Sequence, residues 1–252
     1  MGFAVRGPMA TGGEDPATTA WVNAVISDGG TVSAGRRTLI NNLIVDLKAS
    51  TIWTKLDRLW LWAAENTQSA LRDLVATALA ANASGTPTFT ADDGYTMSGV
   101  VGITTNFNPA TAGGLYTQNS AHVSFWAFDT PTVNVQAIGN GATRVAIYPS
   151  FTGNVFMKVN DNSGDAFATA NPTGFYLANR SSSTARTGYI NGTSIGSYGS
   201  VASVALDSQD IFAGTFSYDK TMSAFSLGMD VDSVQLTFYN ILRTYMTAVG
   251  VP

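Results

Sequence analysis

The amino-acid sequence predicts a mainly β protein, an antiparallel β-sandwich with a helical segment at its amino terminus and a short helix at its carboxyl terminus. From residue 100 onward, short runs of alternating apolar residues recur about every 8–15 residues, separated by Gly, Asn, Asp, Ser and Pro, as in sandwiches and barrels. Charge also changes along the chain, because residues 1–80 hold fourteen charged side chains whereas residues 100–230 hold twelve in 131 positions. The first segment therefore differs from the rest in both periodicity and charge.

Three helices are predicted before residue 65. Asp15 is a suitable N-cap followed by a proline, and Gly29-Gly30 can end this first helix. Ser33 can cap a second helix, whose core-facing stripe consists of Leu39, Ile40, Leu43, Ile44 and Leu47. A third, short helix is expected over residues 52–60. Residues 1–65 are thus predicted to form a helical segment.

Residues 66–252 are expected to form one sandwich domain with its closing helix. Between residues 66 and 98 the signals conflict, since a helix-forming stretch precedes turn and strand residues. Tight type I′ hairpin turns are predicted at Asn140-Gly141 and Asn191-Gly192. Helical spacing returns near the carboxyl terminus at Leu236, Tyr239, Leu242 and Met246.

Composition excludes several function classes. The 252 residues carry a net charge of -4, which disfavours a protein that must neutralise many phosphates of a nucleic acid. The chain has no cysteine, so thiolate metal sites, a cysteine nucleophile and disulfides are excluded. Neither a secretion signal nor an apolar run long enough for membrane insertion is found, and we expect none.

Catalysis is not expected from the residues available. The sequence contains two glutamates, Glu14 and Glu65, both in the helical segment, and a single histidine, His122. A glycosidase would have to use a pair of aspartates, and the aspartates of the β region lie mostly in turn contexts. The oxygen-rich loop over residues 160–165 could offer ligands to calcium, but a hairpin turn is the favoured interpretation. We predict no enzyme, no metal site and no cofactor.

Surface chemistry in the β region suits sugars. Aromatic residues make up 11% of the chain, and many stand beside Asn, Ser, Thr and Arg. Neutral sugars stack their C–H faces on aromatic rings and donate and accept hydrogen bonds through their hydroxyls, which requires little net charge. The predicted ligand-binding residues, expected on loops at one end or on the concave face of the sandwich, are Tyr148, Asp161, Asn162, Arg180, Asn191 and Tyr198. Trp126 and Tyr189 are further candidates, and core packing is preferred for Trp126.

Several segments resemble a known family. The stretch LIVDLKASTIWTKLDRLWLWAAENTQSALRDL, then PTFTADDGYTMSG, TTNFNPAT and NSAHVSFW, resembles phage and prophage virion proteins, including those of gene transfer agents, with a laminin-G-like or concanavalin-A-like jelly roll. NRSSSTARTGYINGTSIG and FSLGMDVDSVQLTFYNILRTYMTAVG resemble the later strands and terminal helix of that family. The resemblance covers most of residues 38–250, and it favours a strand over residues 70–74.

The resemblance implies a concanavalin-A-like antiparallel β-sandwich in a virion appendage such as a tail fibre, tail tip or head spike, assembled in the bacterial cytoplasm. Our first hypothesis is a receptor-binding, lectin-like protein that recognises bacterial surface polysaccharide, with the helical segment anchoring it to other virion proteins or to sister subunits in a homo-oligomer. The alternatives are a structural or decoration subunit and, less favoured, a capsule depolymerase. Trp53, Trp60 and Trp62 either lie exposed at the anchoring interface or pack beneath the sandwich, and the sequence favours neither alternative.

Overall fold

The computed structural model describes residues 13–97, 102–130, 134–140, 144–167, 172–214 and 218–252. Within these ranges the chain forms three layers: a helical layer, an eight-stranded sheet beneath it, and a seven-stranded sheet beyond that. The α-helices are α1 (Pro16–Ser27), α2 (Ala34–Ala49), α3 (Thr67–Leu71) and α4 (Gln235–Ala248). No helix in the described ranges combines the length and apolar character needed to cross a membrane.

The first eight strands in the chain are β1 (Leu56–Leu61), β2 (Asn82–Ser84), β3 (Thr88–Thr90), β4 (Gly94–Thr96), β5 (Gly102–Thr104), β6 (Ala121–Ala127), β7 (Ile138–Gly139) and β8 (Val145–Phe151). They are followed by β9 (Asn154–Val159), β10 (Asp165–Phe167), β11 (Gly174–Arg180), β12 (Arg186–Ile190), β13 (Thr193–Tyr198), β14 (Phe212–Ala213) and β15 (Thr221–Gly228). Two antiparallel sheets result, which confirms the predicted fold class.

The two sheets differ in strand order but share antiparallel pairing. The helix-covered sheet has the order β13-β12-β11-β6-β15-β4-β3, with β1 also paired to β15. The second sheet has the order β10-β9-β8-β7-β14-β5-β2. All pairings given for these strands are antiparallel, as expected for a sandwich built from hairpins and longer crossovers.

Strand β6 shows how alternation builds two cores. Val123 and Phe125 point into the core between the sheets, whereas Trp126 on the opposite face packs with the helical layer. The Trp126 ring stacks on Tyr239 of α4 with 5.9 Å between ring centroids, and its indole nitrogen donates to the carbonyl of Pro252 at 3.1 Å. The core packing preferred for Trp126 is therefore confirmed.

The first two helices begin where the sequence predicts. Asp15 caps α1 by accepting a hydrogen bond from the Ala17 amide at 2.9 Å, and Ser33 caps α2 by accepting from the Arg36 amide at 3.1 Å. The stripe of α2 packs against α4 and the outer face of the eight-stranded sheet, with Ile44 fully buried. These helices thus close a second hydrophobic core.

The prediction of a third helix over residues 52–60 is wrong. After one 3₁₀ turn, Trp53–Lys55, the chain enters strand β1 and pairs with β15. Trp60 and Trp62 point into the sandwich core and are fully buried, so of the two alternatives for the tryptophans packing holds for these two, and an exposed interface does not. Trp53 is half-buried, with the Lys48 ammonium 5.3 Å from its ring centroid. The helical part of the first 65 residues therefore ends before β1.

The expected strand over residues 70–74 is also corrected. This stretch starts in α3, where Asn66 and Ser69 form a capping box at the helix start. Arg72 makes one isolated bridge to Ala80, and the Asp73 carboxylate accepts hydrogen bonds from backbone amides of the following turn. Local capping and turn bonds thus determine this segment.

One hairpin turn and the last helix form where the sequence predicts them. Asn191 and Gly192 both have positive φ angles, 48° and 74°, which confirms the tight turn between β12 and β13. The turn predicted at Asn140-Gly141 lies partly outside the described residues. The predicted terminal helix is α4, followed by Gly250 at a φ of 90°.

Candidate functional site

Two of the predicted ligand residues lie inside the protein, at one end of the sandwich. The side chains of Arg180 and Asp161 are both fully buried, with their nearest charged atoms 3.5 Å apart. Arg186 forms ion pairs with Asp161 and with Asp165. These four residues are called the buried ion cluster, and they connect β10, β11, β12 and the loop after β9.

The contacts of Arg180 explain its burial. Its Nε donates to the carbonyl of Val159 at 2.7 Å, and its Nη1 faces the carbonyls of Ser182 and Val201 at 3.3 Å each. Burial lowers the pKa of Arg180, and the neighbouring Asp161 carboxylate opposes that effect. Arg180 is therefore occupied by groups of the protein itself and does not reach a surface where a ligand could contact it.

A third predicted residue, Tyr148, belongs to an aromatic surface on the outer face of the seven-stranded sheet. The rings of Tyr148, Phe151 and Phe156 contact one another, with centroids 5.3 to 5.7 Å apart. We call these three rings the aromatic platform. Together with Ala146 and Lys158 they line a shallow depression of about 210 Å³, and Phe151 is 40% exposed.

Strand geometry places these rings on one face. In β9, Val155, Met157 and Val159 point into the core, so Phe156 and Lys158 point outward. Tyr148 lies directly opposite Phe156 in the pairing of β8 with β9. A register shift between Tyr148 and Phe151 brings these two residues, three positions apart, to the same face, which a regular strand would not allow.

The oxygen-rich loop over residues 160–165 borders the platform. The Asp161 carboxylate accepts hydrogen bonds from the amides of Ser163 and Gly164, which confirms the turn interpretation. Gly164 has a φ of +70°, and a Cβ there would come 2.2 Å from the Phe156 ring. Only glycine therefore lets this loop lie against the ring.

Lys158 connects the loop to the platform. Its ammonium donates to the backbone carbonyl of Asn162 at 3.1 Å and lies 5.6 Å from the Phe156 ring centroid. Burial lowers the pKa of Lys158, opposed by Asp161 and reinforced by Arg186. The side chain of Asn162 is exposed beside this contact. The structure therefore brings Tyr148 and Asn162 to the same region.

The last two predicted residues are not brought to this surface by any described contact. Asn191 accepts a hydrogen bond from the Phe175 amide at 2.7 Å and donates to the Thr173 carbonyl at 3.1 Å, which fixes the hairpin turn. The neighbouring Gly192 packs against Leu236 and Tyr239 of α4, on the helical side of the molecule. The side chain of Tyr198 lies outside the described residues.

Sequence reasoning missed Phe151, Phe156 and Lys158. The run VFMKV carried the signal for two of them, because alternation with an apolar inner face leaves Phe156 and Lys158 on the outer face. Phe151 carried no such signal, since the register shift that turns it outward depends on the turn at Thr152-Gly153. Periodicity therefore indicates Phe156 and Lys158 but not Phe151.

His122 is buried on the helix-covered face of the eight-stranded sheet. Its Nδ1 is 2.6 Å from the Met229 carbonyl and its Nε2 is 3.2 Å from the Ser226 hydroxyl, which in turn lies 2.6 Å from that of Ser124. Burial lowers the pKa of His122 to about 4. In the described ranges no group of three or more metal-ligating side chains comes together.

Comparisons with known proteins bear on the fold. No family model matches the chain, and no curated protein matches it significantly. Among solved structures, domain 4 of the arabinanase AbnA from Geobacillus stearothermophilus, in complex with arabinotriose, is similar at a TM-score of 0.55 and 14% identity, over 73% of this chain and 98% of that domain. These values establish a shared fold.

Two further structures are similar over part of their length. The ligand binding domain of botulinum neurotoxin serotype D, in complex with N-acetylneuraminic acid, gives a TM-score of 0.54 and 14% identity over 76% of this chain and 52% of that one. Trypanosoma rangeli sialidase in complex with sialic acid gives 0.53 and 10% identity over 84% and 40%. The chain therefore spans about half or less of these two proteins.

Proposed function

We propose that this protein is a lectin-like module that binds carbohydrate on the aromatic platform. The observation that carries the proposal is the cluster of Tyr148, Phe151 and Phe156 around an open depression of about 210 Å³. The helical layer covers the outer face of the eight-stranded sheet, whereas on this part of the other sheet Phe151 is exposed and Tyr148 and Phe156 are half-buried. Three touching aromatic rings beside an open depression, one of them 40% exposed, are unusual on a surface that serves no binding function.

The chemistry of the platform suits a sugar ring. Aromatic faces pack against the C–H groups of a sugar, and the Tyr148 hydroxyl, the Asn162 side chain and the Lys158 ammonium supply polar groups at its border. Three proteins that share the fold were solved with arabinotriose, N-acetylneuraminic acid or sialic acid bound. These ligands support the choice of carbohydrate over other small molecules.

Binding can be tested with isolated bacterial capsule and lipopolysaccharide glycans. Tyr148→Ala and Phe156→Ala should each weaken binding by about 1–2 kcal/mol, the contact energy of a partly desolvated aromatic ring. Phe89→Ala, which removes a half-buried ring from the edge of the other sheet, is the matched control and should leave affinity unchanged. Calorimetric titration and melting temperatures measured on all three variants separate lost contacts from lost folding. If the platform variants bind like the parent protein, the proposed site is wrong.

We further propose that the module belongs to a phage virion appendage and recognises bacterial surface polysaccharide. The sequence resemblance to virion jelly-roll proteins supports this proposal. In this role the helical layer attaches the module to other virion proteins or to sister subunits. Ile26 and Leu236, 56% and 53% exposed, supply apolar contact on α1 and α4. Virions carrying Leu236→Asp should incorporate less of the protein, while the purified variant should bind glycan normally.

A structural or decoration subunit is the second candidate, and the same exposed apolar residues on the helices favour it. The two candidates predict different results in one experiment. A decoration subunit binds no bacterial glycan, whereas incorporation into particles still depends on Leu236. Binding of any capsule or lipopolysaccharide glycan that is lost in Phe156→Ala would exclude the decoration role as the whole function.

We also propose that binding proceeds without cleavage of the glycan. The single histidine is enclosed, and Asp161 and Asp165 are engaged by arginines. Incubation of a bound polysaccharide with the protein should release no reducing ends above a buffer control. Release of reducing ends that is lost in an Asp→Asn variant would establish a depolymerase instead.

A further inference from the structure

Lys158 is a buried cation without a carboxylate partner. The residue is 9% exposed, and no Asp or Glu oxygen of the described residues lies within 4.0 Å of its ammonium. The one hydrogen bond it makes in this part of the structure runs to the neutral backbone carbonyl of Asn162. An ammonium group carries three N–H donors, so its hydrogen-bonding capacity is not exhausted by that contact.

The nearby carboxylates are committed to other cations. Asp161 is shared between Arg180 and Arg186, and Asp165 is paired with Arg186. The buried ion cluster thus contains two positive and two negative side chains and is neutral by itself. Lys158 adds one positive charge that this cluster does not balance, and a buried unbalanced charge is costly unless something neutralises it.

The position of this charge suggests its counter-ion. Lys158 lines the depression formed by the aromatic platform, and its ammonium lies over the Phe156 ring. A ligand stacked on the platform would therefore lie beside an ammonium held in a region of low solvent exposure, where a charge-assisted hydrogen bond is strong. The protein as a whole has a net charge of -4, so unspecific attraction of polyanions is not expected.

We propose that the platform binds acidic glycans, sugars that carry a carboxylate, with the carboxylate paired to Lys158. This inference rests on the proposed carbohydrate-binding function and specifies the ligand class of the same site. Uronic and sialic acids have the required form, a ring with an apolar face and one carboxylate. Neutral sugars of the same ring geometry can stack on the platform but leave the ammonium unpaired.

The test compares acidic oligosaccharides with their own carboxyl-reduced forms. The probes are oligogalacturonate, oligoalginate and oligosialic acid, each beside the neutral oligomer obtained by reducing its carboxyls, titrated by calorimetry. For at least one pair the parent protein should bind the acidic form about tenfold tighter or more, the effect of one charge-assisted hydrogen bond. Added salt should weaken the acidic interaction more than the neutral one.

Variants assign the preference to Lys158. Lys158→Met keeps an unbranched side chain one atom shorter and without charge and should remove the preference, whereas Lys158→Arg should retain it. Lys220→Met removes the same charge next to β15 in the other sheet and is the matched control, which should bind like the parent protein. If Lys158→Met fails to fold, Lys158→Gln replaces it, and circular dichroism shows which variant is folded.

Four outcomes overturn the inference. Equal affinity for acidic and reduced forms, or a preference that survives in Lys158→Met and Lys158→Gln, shows that the charge of Lys158 does not select the ligand. Binding confined to neutral glycans overturns the acidic class but leaves the proposed function standing. Absence of binding to the acidic probes and to the whole capsule and lipopolysaccharide panel overturns both.

Discussion

Acid should destabilise this protein through His122, the one histidine of the chain. The Met229 carbonyl can only accept a hydrogen bond, so Nδ1 of the ring must donate to it. The neutral ring then accepts from the Ser226 hydroxyl at Nε2. A second proton on Nε2 would face that hydroxyl in a fully buried position, which explains why burial lowers the pKa of His122.

The magnitude follows from the two pKa values. An exposed histidine in the unfolded chain titrates near 6.5, whereas His122 in the folded protein titrates near pH 4. As pH falls through this interval, the unfolded state binds a proton that the folded state does not, so the free energy of unfolding decreases. At about 1.4 kcal/mol per pH unit the loss by pH 4 is about 3 kcal/mol.

Asp73 has the opposite effect in nearly the same interval. Burial raises its pKa from 3.8 to about 6, against the hydrogen bonds that its carboxylate accepts. The folded state therefore binds this proton first as pH falls, and the free energy of unfolding rises between about pH 6 and pH 4. The total stability of the parent protein is thus a poor measure of His122 alone.

The difference between the parent protein and His122→Gln isolates the histidine, because Asp73 contributes equally to both. Urea unfolding followed by tryptophan fluorescence from pH 7 to pH 4 gives the two profiles. The stability of the parent relative to the variant should fall by about 3 kcal/mol over that range. His122→Asn is a second non-titrating variant that should give the same change. Profiles that stay parallel would refute the assignment of acid sensitivity to His122.

Three further results are expected. Arg186→Met should lower the free energy of unfolding by about 3–5 kcal/mol, measured in urea, because it leaves the buried Asp165 without a cation and Asp161 with Arg180 alone. Gly164→Ala should weaken glycan binding, because its Cβ would displace the Phe156 ring, whereas Gly153→Ala, at a similar φ of +83° but in open space, should not. Removal of residues 1–50 should unfold or aggregate the protein in circular dichroism and light scattering, since α1 and α2 cover an apolar sheet face; a monomeric, folded product would contradict the second core.

Local signals predicted the parts of the fold that local interactions determine. Asp15 and Ser33 cap helices because their side chains reach the first amides, and Asn191-Gly192 forms a tight turn because both residues tolerate positive φ. Strand β6 was readable because its residues alternate between two cores. Each of these features depends either on contacts between residues a few positions apart or on the two-residue alternation of a strand.

Strand β1 was not predictable in the same way. A strand buried on one face alternates apolar and polar residues, but β1 is covered by the sandwich core on one face and by helices on the other. Its sequence LDRLWL therefore does not alternate but has three consecutive apolar residues after Asp57 and Arg58, and its spacing also fits a helix. Only the pairing with β15, far away in sequence, decides between the two structures.

The predicted site residues also divide into those that local patterns place and those that tertiary contacts place. Tyr148 and Asn162 lie where turn and strand patterns place them, at the surface around one hairpin. Arg180 and Asp161 have the same polar chemistry as ligand-binding residues, yet the structure buries them together with Arg186. Sequence shows that such residues can bind a hydroxyl or a carboxylate, but only tertiary pairing shows whether the partner is a ligand or the protein.

The helical layer also determines where a ligand can bind. In a bare sandwich both outer sheet faces are open, and either could carry a binding surface. Here α1, α2 and α4 occupy one of them, and Trp126, on that face, is stacked under Tyr239. On the free face, Phe151 is exposed and the half-buried Tyr148 and Phe156 line an open depression, which is why the platform and not Trp126 is the surface where we propose that a sugar stacks.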